Sequence, residues 1–99
     1  MAKSRHDQIA ENLAKEFGAE YKRYQGIDIV TKKRVIEVET AMEGIYQGIN
    51  QIKRSPKPRY MAVDDKNIQN ALEATEGTGI GVMDENGKIL KRAHRNMKK

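Results

Sequence analysis

The chain has no cysteine and no tryptophan, and it has a single phenylalanine. The absence of thiols excludes disulfides, thiolate zinc fingers and cysteine nucleophiles, so any bound metal must have oxygen or imidazole ligands. Long apolar runs are also missing. Nothing approaches the roughly 20 apolar residues of a membrane-spanning helix, and the N-terminus lacks the apolar stretch of a signal peptide. We therefore expect a soluble, cytoplasmic protein without a membrane partner.

Length and charge limit the remaining possibilities. With 99 residues, the chain can form one domain with a modest core, which we place at 1–90, followed by a basic tail at 91–99. The formal net charge of +5 favours an anionic partner. The cations concentrate within 1–5, 53–59 and 91–99. Any single run is as typical of a solvated surface, but together the runs favour nucleic acid.

Hydrophobic periodicity predicts the first half of the chain. Ser4 can cap a helix that runs over 5–17 and ends at Gly18. Residues 19–24 are weakly strand-like, whereas 27–30 and 35–39 are rich in β-branched residues and predict clear strands. The cationic segment 31–34 between them predicts a hairpin turn.

The second half of the chain alternates helix and strand. Thr40 is a plausible cap for a helix that ends before Ser55-Pro56, and strand character returns at 58–63. Asp64 or Asp65 can cap a third helix, and an Asn86-Gly87 turn predicts a terminal hairpin. The fold class expected is α/β, with a mixed central β-sheet flanked by helices.

Three carboxylates cluster in the predicted hairpin. Alternation along a strand puts Glu37 and Glu39 on one face, and a turn about Lys32-Lys33 places Asp28 directly opposite Glu37. Like charges opposed across strands are destabilising, and a divalent cation such as Mg²⁺ or Mn²⁺ would relieve the repulsion. The alternative is an ordinary solvated face, which antiparallel hairpins often have.

This hairpin resembles the core of the PD-(D/E)XK nuclease superfamily, which includes archaeal Holliday-junction resolvases and restriction-type endonucleases. The resemblance lies in Gly26-Ile27-Asp28-Ile29-Val30, the short turn, and Val35-Ile36-Glu37-Val38-Glu39-Thr40. The family helix that follows carries a glutamine, matched here by Gln47, while Gln51 stands where a tyrosine is frequent. The resemblance implies a restriction endonuclease-like core (αβββαβ) with a third helix and a C-terminal hairpin. It also implies metal-dependent catalysis by Asp28, Glu37, Glu39 and Gln47.

The sequence departs from the family pattern at the end of the motif. The usual residue there is a lysine that positions or deprotonates the attacking water, but this chain has Glu39, as a few restriction enzymes do. Lys53, or a cation from the 31–34 turn, would have to supply the missing charge. Lys53 is the better candidate, because the turn lies at the far end of the hairpin from Glu39.

A second departure lies in the first helix. Related resolvases carry a glutamate ligand at the position that His6 occupies here, and some recombination helicases use a histidine in this helix. The resemblance therefore implies His6 as a further metal ligand, with Glu11 as the lesser alternative. A lone histidine on an apolar helix face is more often structural.

These observations lead to three hypotheses. The first is a Mg²⁺- or Mn²⁺-dependent DNA endonuclease, with structure-specific cleavage as one form, acting as a homodimer. The second is a non-catalytic nucleic-acid-binding protein that retains the nuclease fold. The third is a small subunit whose basic face meets an acidic protein. No Gly-rich phosphate loop, helix-turn-helix or Ser/His/Asp set in the sequence supports another class.

Overall fold

The computed structural model describes residues 4–22 and 26–94, which contain three α-helices and five strands. The helices are α1 (Arg5–Glu16), α2 (Met42–Ile52) and α3 (Ile68–Ala74), with a 3-10 turn at Asp65–Asn67 before α3. The strands are β1 (Ile29–Val30), β2 (Val35–Glu39), β3 (Arg59–Val63), β4 (Gly81–Met83) and β5 (Ile89–Lys91).

The five strands form one mixed sheet in chain order. β1 and β5 lie antiparallel to their neighbours at the two edges, while β2, β3 and β4 run parallel in the centre. Parallel neighbours require crossover connections, and α2 and α3 provide them. The expected α/β architecture with a mixed sheet and flanking helices is therefore confirmed.

Each face of the sheet has its own apolar core, because inward-facing residues alternate along the strands. On one face, α1 packs through Ile9 and Leu13 against Ile36 and Val38 of β2. On the other face, α2 and α3 cover Val35 and the neighbouring positions of β3 and β4. The sheet is thus the middle layer of three. Glu37 and Glu39 alternate with Ile36 and Val38, and so belong to the face covered by α2.

The start of α1 follows the sequence prediction. Ser4 is the N-cap, and its side chain accepts a hydrogen bond from the Asp7 backbone N–H at 3.1 Å. Phe17 is the C-cap, and Gly18 follows with a φ of 66°. The predicted helix and its two ends are confirmed. This cap places His6 in the first turn of the helix, beside the edge of the sheet.

Two segments near β1 differ from the expectation. The strand predicted over 27–30 contains only Ile29–Val30, because at position 28 the side chain rather than the backbone pairs with β2. The weak strand over 19–24 is reduced to a single bridge between Tyr21 and Ile29. Residues 23–25 of that prediction lie outside the described part of the chain.

Two predicted helix caps are also wrong. Ala41, not Thr40, is the N-cap of α2, and no side chain caps it; the Thr40 carbonyl instead accepts a hydrogen bond from Asn67. Asn67, not Asp64 or Asp65, is the N-cap of α3; Asp64 is the N-cap of the 3-10 turn without a side-chain cap bond, and its carboxylate accepts from the Asn67 side chain at 2.7 Å. Asn67 thereby ties the ends of β2 and β3 together.

The terminal hairpin is confirmed as β4 and β5, and the described chain continues beyond it. Lys91 belongs to β5, and the His94 backbone N–H donates to the Gly79 carbonyl at 2.8 Å. Of the basic segments named above, residues 1–3 and 95–99 lie outside the described part. Within that part, no helix has the length and apolar character required to cross a membrane.

Candidate acidic site

The predicted register of the β1–β2 hairpin is confirmed. Ile29 pairs with Ile36 and Val30 with Val35, so the same register sets Asp28 opposite Glu37. The two residues are joined by a hydrogen bond from the Asp28 backbone N–H to Glu37 Oε1 at 3.0 Å. Asp28 Oδ2 accepts in turn from the Val38 backbone N–H at 2.9 Å. Both carboxylates are therefore fixed at the point where β1 enters the sheet.

His6 reaches the same point from α1. Its Nε2 lies 3.3 Å from Asp28 Oδ2, and its Nδ1 lies 3.1 Å from the Tyr21 hydroxyl. That hydroxyl donates its only proton to Asp7 Oδ1 at 2.8 Å, so it can only accept from His6 Nδ1. Both imidazole nitrogens consequently act as donors, and His6 is arranged as a cation.

Glu39 and Glu37 lie against the glycines of α2. A Cβ added to Gly44 would stand 2.3 Å from Glu39 Oε1. A Cβ added to Gly48 would stand 3.1 Å from Glu37 Cγ and 2.9 Å from the Met61 terminal methyl. At Gly48 a methyl group would crowd Glu37 Cγ on β2, whereas at Gly44 the contact is with the carboxylate end of the flexible Glu39 side chain, which can move. We call His6, Asp28, Glu37 and Glu39 the acidic site.

Burial and mutual repulsion change the ionisation of this site. Burial raises the pKa of Glu37 from 4.5 to about 8, and the charge of Asp28 adds to the effect. Burial likewise raises the pKa of Glu39 to about 7, against the opposing charge of His6. The hydrogen bond to Asp28 raises the pKa of His6 from 6.5 to about 9, although burial opposes it. Near neutral pH, Glu37 is therefore mostly protonated and Glu39 about half protonated, while His6 is the cation of the site.

Besides its glycines, α2 carries the two glutamines Gln47 and Gln51. Gln51 Nε2 would be 3.1 Å from a Cβ built on Gly26, just before Asp28 in the chain. Gln47 is exposed and precedes Gln51 by one helical turn. At 3.6 residues per turn, Gln47 lies about 60° from Gly44 but about 100° from Gly48 around the helix axis. Its exposed amide is available to a ligand approaching the acids.

The structure does not bring Lys53 to these acids. Lys53 follows the last residue of α2, and its carbonyl accepts a hydrogen bond from Arg59 Nη1 at 2.8 Å. Arg59 opens β3 and pairs with Val35, whereas Glu39 stands at the other end of β2. The 31–34 turn lies at the Val35 end as well. No lysine among the described residues ion-pairs with Asp28, Glu37 or Glu39.

The acids are held by the protein itself. Among residues 4–22 and 26–94, every buried side-chain nitrogen or oxygen has a hydrogen-bond partner. Within the same residues, no three histidine or carboxylate side chains are grouped as ligands of one metal ion. The side chains predicted as ligands are thus neighbours joined by hydrogen bonds and charge.

Sequence reasoning missed three contributors to this site. They are Gly44, Gly48 and Tyr21, none of which the sequence pattern marks as part of a site. Two glycines one turn apart inside a helix each cost about 1 kcal/mol relative to alanine, and this signals a close approach. Nothing in the sequence pairs Tyr21 with His6, because the contact depends on how the chain returns to the sheet after α1.

No family model matches the sequence, and neither the curated proteins nor the solved structures that were compared with it yield a significant match.

Substituting Gly48 tests the close approach of α2. Alanine is favoured over glycine in a helix by about 1 kcal/mol. At position 48, however, the new methyl group would overpack against Met61 and Glu37, which costs about 1–3 kcal/mol. We expect Gly48→Ala to lower thermal stability, and Asn50→Ala on the exposed side of α2 to leave it unchanged or raise it slightly. Increased stability of Gly48→Ala would contradict the packing described.

The raised pKa values of His6, Glu37 and Glu39 all make the folded protein less stable as the pH rises. The pKa of His6 rises from 6.5 to about 9, so its stabilising contribution is complete below pH 6.5 and is lost as the pH rises to 9. The pKa values of Glu37 and Glu39 rise from 4.5 to about 8 and about 7, so the unfolded chain releases these protons first. We expect the unfolding free energy in urea, with EDTA, to fall between about pH 5 and about pH 9.

Glu37→Gln is the matched variant for this measurement. The amide oxygen still accepts from the Asp28 backbone N–H, but the ionisable group is gone. The decline between about pH 5 and about pH 8 should become shallower, whereas Glu20→Gln, at a side chain that is 86% exposed, should keep the wild-type slope. A wild-type unfolding free energy that rises across this pH range would contradict the raised pKa values of His6, Glu37 and Glu39.

Proposed function

We propose that the chain is a divalent-metal-dependent DNA endonuclease that hydrolyses phosphodiester bonds at the acidic site, and that its core is of the restriction endonuclease-like type. The observation that supports this most is the burial of Asp28 and Glu37 side by side, with the half-buried Glu39 next to them. Asp28 is 5% exposed and Glu37 is 8% exposed. Burying like charges together is costly unless a cation neutralises them, and His6 can neutralise only one.

The donor types suit Mg²⁺ or Mn²⁺, although among the described residues the side chains are not grouped as ligands of one ion. Both ions take carboxylate oxygens together with water and phosphate oxygens, and Asp28, Glu37 and Glu39 are the residues that would hold one. A bound ion supplies an activated water and stabilises the negative charge that develops on phosphate. For His6 to serve as a ligand as well, it must release the proton that it shares with Asp28.

The protein's own groups supply the rest of the proposed mechanism. His6 orients Asp28 through its Nε2, as a protonated partner of a carboxylate ligand. We propose that the exposed Gln47 amide of α2 hydrogen-bonds a phosphate oxygen of the substrate. Gly44 and Gly48 allow the backbone of α2 to lie against the glutamates, and we propose that substrate approaches from the edge of the sheet where β1 begins.

The separation of Lys53 from Glu39 favours a second candidate function, a nucleic-acid-binding protein that retains the nuclease fold without catalysis. Glu39→Lys distinguishes the two. If Glu39 is a ligand in a working enzyme, the substitution should reduce Mn²⁺-dependent cleavage of plasmid and branched DNA. If the chain has lost catalysis through its missing lysine, the substitution should leave cleavage absent or restore some.

Metal binding is tested by thermal denaturation and calorimetry. Mn²⁺ should raise the melting temperature, because only the folded chain presents the site; saturation to 100 times Kd corresponds to about 2.7 kcal/mol. Asp28→Asn and Glu37→Gln should abolish both this shift and DNA cleavage. Asp65→Asn, at an exposed carboxylate, should retain both. Failure of the wild type to bind Mg²⁺ or Mn²⁺ at millimolar concentration, with DNA present, would refute the catalytic proposal.

We also propose that the active form is a homodimer. A domain of this size has little surface with which to embrace a branched duplex, and the resolvases that the sequence resembles act as dimers. Sedimentation equilibrium at micromolar concentration should give a mass twice that of the chain. A monomer mass that duplex DNA does not change would contradict this expectation.

A further inference from the structure

Cations from two separate segments meet at the end of the sheet opposite the acidic site. The 31–34 turn contributes Lys32, Lys33 and Arg34, and the connection from α2 to β3 contributes Lys57. Lys57 Nζ donates to the Thr31 carbonyl at 2.6 Å, and the Val35 backbone N–H donates to the Pro58 carbonyl at 2.9 Å. These bonds hold the two basic segments side by side.

The turn is internally fixed. Thr31 Oγ1 accepts from the backbone N–H groups of Lys33 and Arg34 at 3.0 and 2.9 Å, and the Thr31 backbone N–H donates to the Arg34 carbonyl. Such a side-chain-closed turn holds its backbone in one conformation. Lys32 and Lys33 are both exposed, so their charges project into solvent from a rigid support.

Arg34 is held between two aromatic rings. Its guanidinium carbon lies 5.1 Å from the Phe17 ring centroid and 5.5 Å from that of Tyr60. Contacts at these distances are attractive and fix the guanidinium plane. Within the described residues, Lys32, Lys33, Arg34 and Lys57 form no ion pair with a carboxylate. The positive charge of this surface is therefore not neutralised by those residues.

A groove of about 460 Å³ runs between this turn and the end of α1. Phe17, Gly18 and Ala19 form one wall, and Val30 with the 31–34 turn forms the other. An apolar surface beside fixed cations can bind a polymer whose backbone alternates between sugars and phosphates. We call this the basic groove.

We propose that the basic groove binds the sugar-phosphate backbone of DNA at a distance from the acidic site. Lys33 is four residues before Glu37 in the chain, which is about 13 Å at strand spacing. That span corresponds to roughly four base pairs of duplex, so one DNA molecule lying along the hairpin can reach both places. The identity of the polyanion rests on the proposed function, but the contact does not require cleavage.

The test is binding of a fluorescent 20-base-pair duplex by anisotropy, in EDTA, over a range of KCl concentrations. The double variant Lys32→Ala/Lys33→Ala should make the slope of log K against log[salt] shallower by about 1.8, since each lost phosphate contact removes about 0.9. Its affinity near 0.1 M salt should fall on the order of tenfold or more. Because both side chains are exposed, its melting temperature should equal that of the wild type; should it not, Lys32→Gln/Lys33→Gln replaces it.

The matched control is Lys15→Ala/Lys88→Ala, which removes the same charge from exposed positions near Glu85 and Asp84. Its slope should stay close to the wild-type value. An unchanged slope in the groove variant, an equal loss in the control, or no DNA binding by the wild type would each overturn the proposal. So would displacement of the duplex by inorganic phosphate far beyond the effect of KCl at equal ionic strength, which would indicate a site for small anions.

Cleavage separates this proposal from the proposed function. If the groove variant loses affinity for DNA while the wild type never cleaves DNA with Mn²⁺, DNA binding by the basic groove is supported and the catalytic proposal is refuted. If the wild type cleaves DNA and the groove variant binds and cleaves DNA equally well, the basic-groove proposal is refuted and the catalytic proposal is not. Lys32- and Lys33-dependent binding to phosphatidylserine vesicles, without binding to DNA, would assign the surface to membranes and overturn it.

Discussion

Negative charge held at the end of β2 is the constraint on which the arrangement around it depends. The Asp28 carboxylate, rather than a backbone carbonyl of β1, accepts a hydrogen bond from the Val38 backbone N–H. β1 is therefore only two residues long. Glu37 then requires space beneath α2, which glycine at 48 provides. The local departures from regular structure therefore share one cause, which is the need to accommodate carboxylates in a buried position.

The parallel connection from β2 through α2 to β3 separates charge along the sheet. It brings the beginnings of β2 and β3 together, where Lys57 contacts Thr31, and it brings their ends together, where Asn67 joins Thr40 and Asp64. Cations from distant segments gather at the first end and carboxylates at the second. A polyanion is attracted by one end and repelled by the other until a cation occupies the acids. The proposed DNA contact and the proposed divalent-cation site therefore lie at opposite ends of the sheet, so the two proposals can be tested independently.

The sequence predicts those features that depend on local periodicity. The first helix and its cap at Ser4, the hairpin register and the terminal hairpin follow from spacing alone, because side chains alternate along strands and repeat every turn in helices. The sequence cannot predict the Ala41 cap, since Thr40 loses its capping role through a tertiary bond to Asn67. The hydrogen bonds of His6 to Tyr21 and Asp28 were equally hidden, because they join three segments whose relative placement is set by packing.

The two departures from the resembling nuclease motif compensate each other in charge. Those resolvases combine a glutamate on the first helix with an aspartate, a glutamate and a lysine on the hairpin. Here the lysine position holds Glu39 and the glutamate position holds His6, which is arranged as a cation. Both sets contain three carboxylates and one cation, so moving the positive charge from strand to helix keeps the net charge that a divalent ion would meet. What changes is the cation's position: His6 is bonded to Asp28, whereas the motif lysine lies beside the attacking water. Under the proposed function, this shift leaves the charge that a divalent ion would meet unchanged and moves the proton-transferring group, so the proposal predicts a larger effect on turnover than on affinity for the ion.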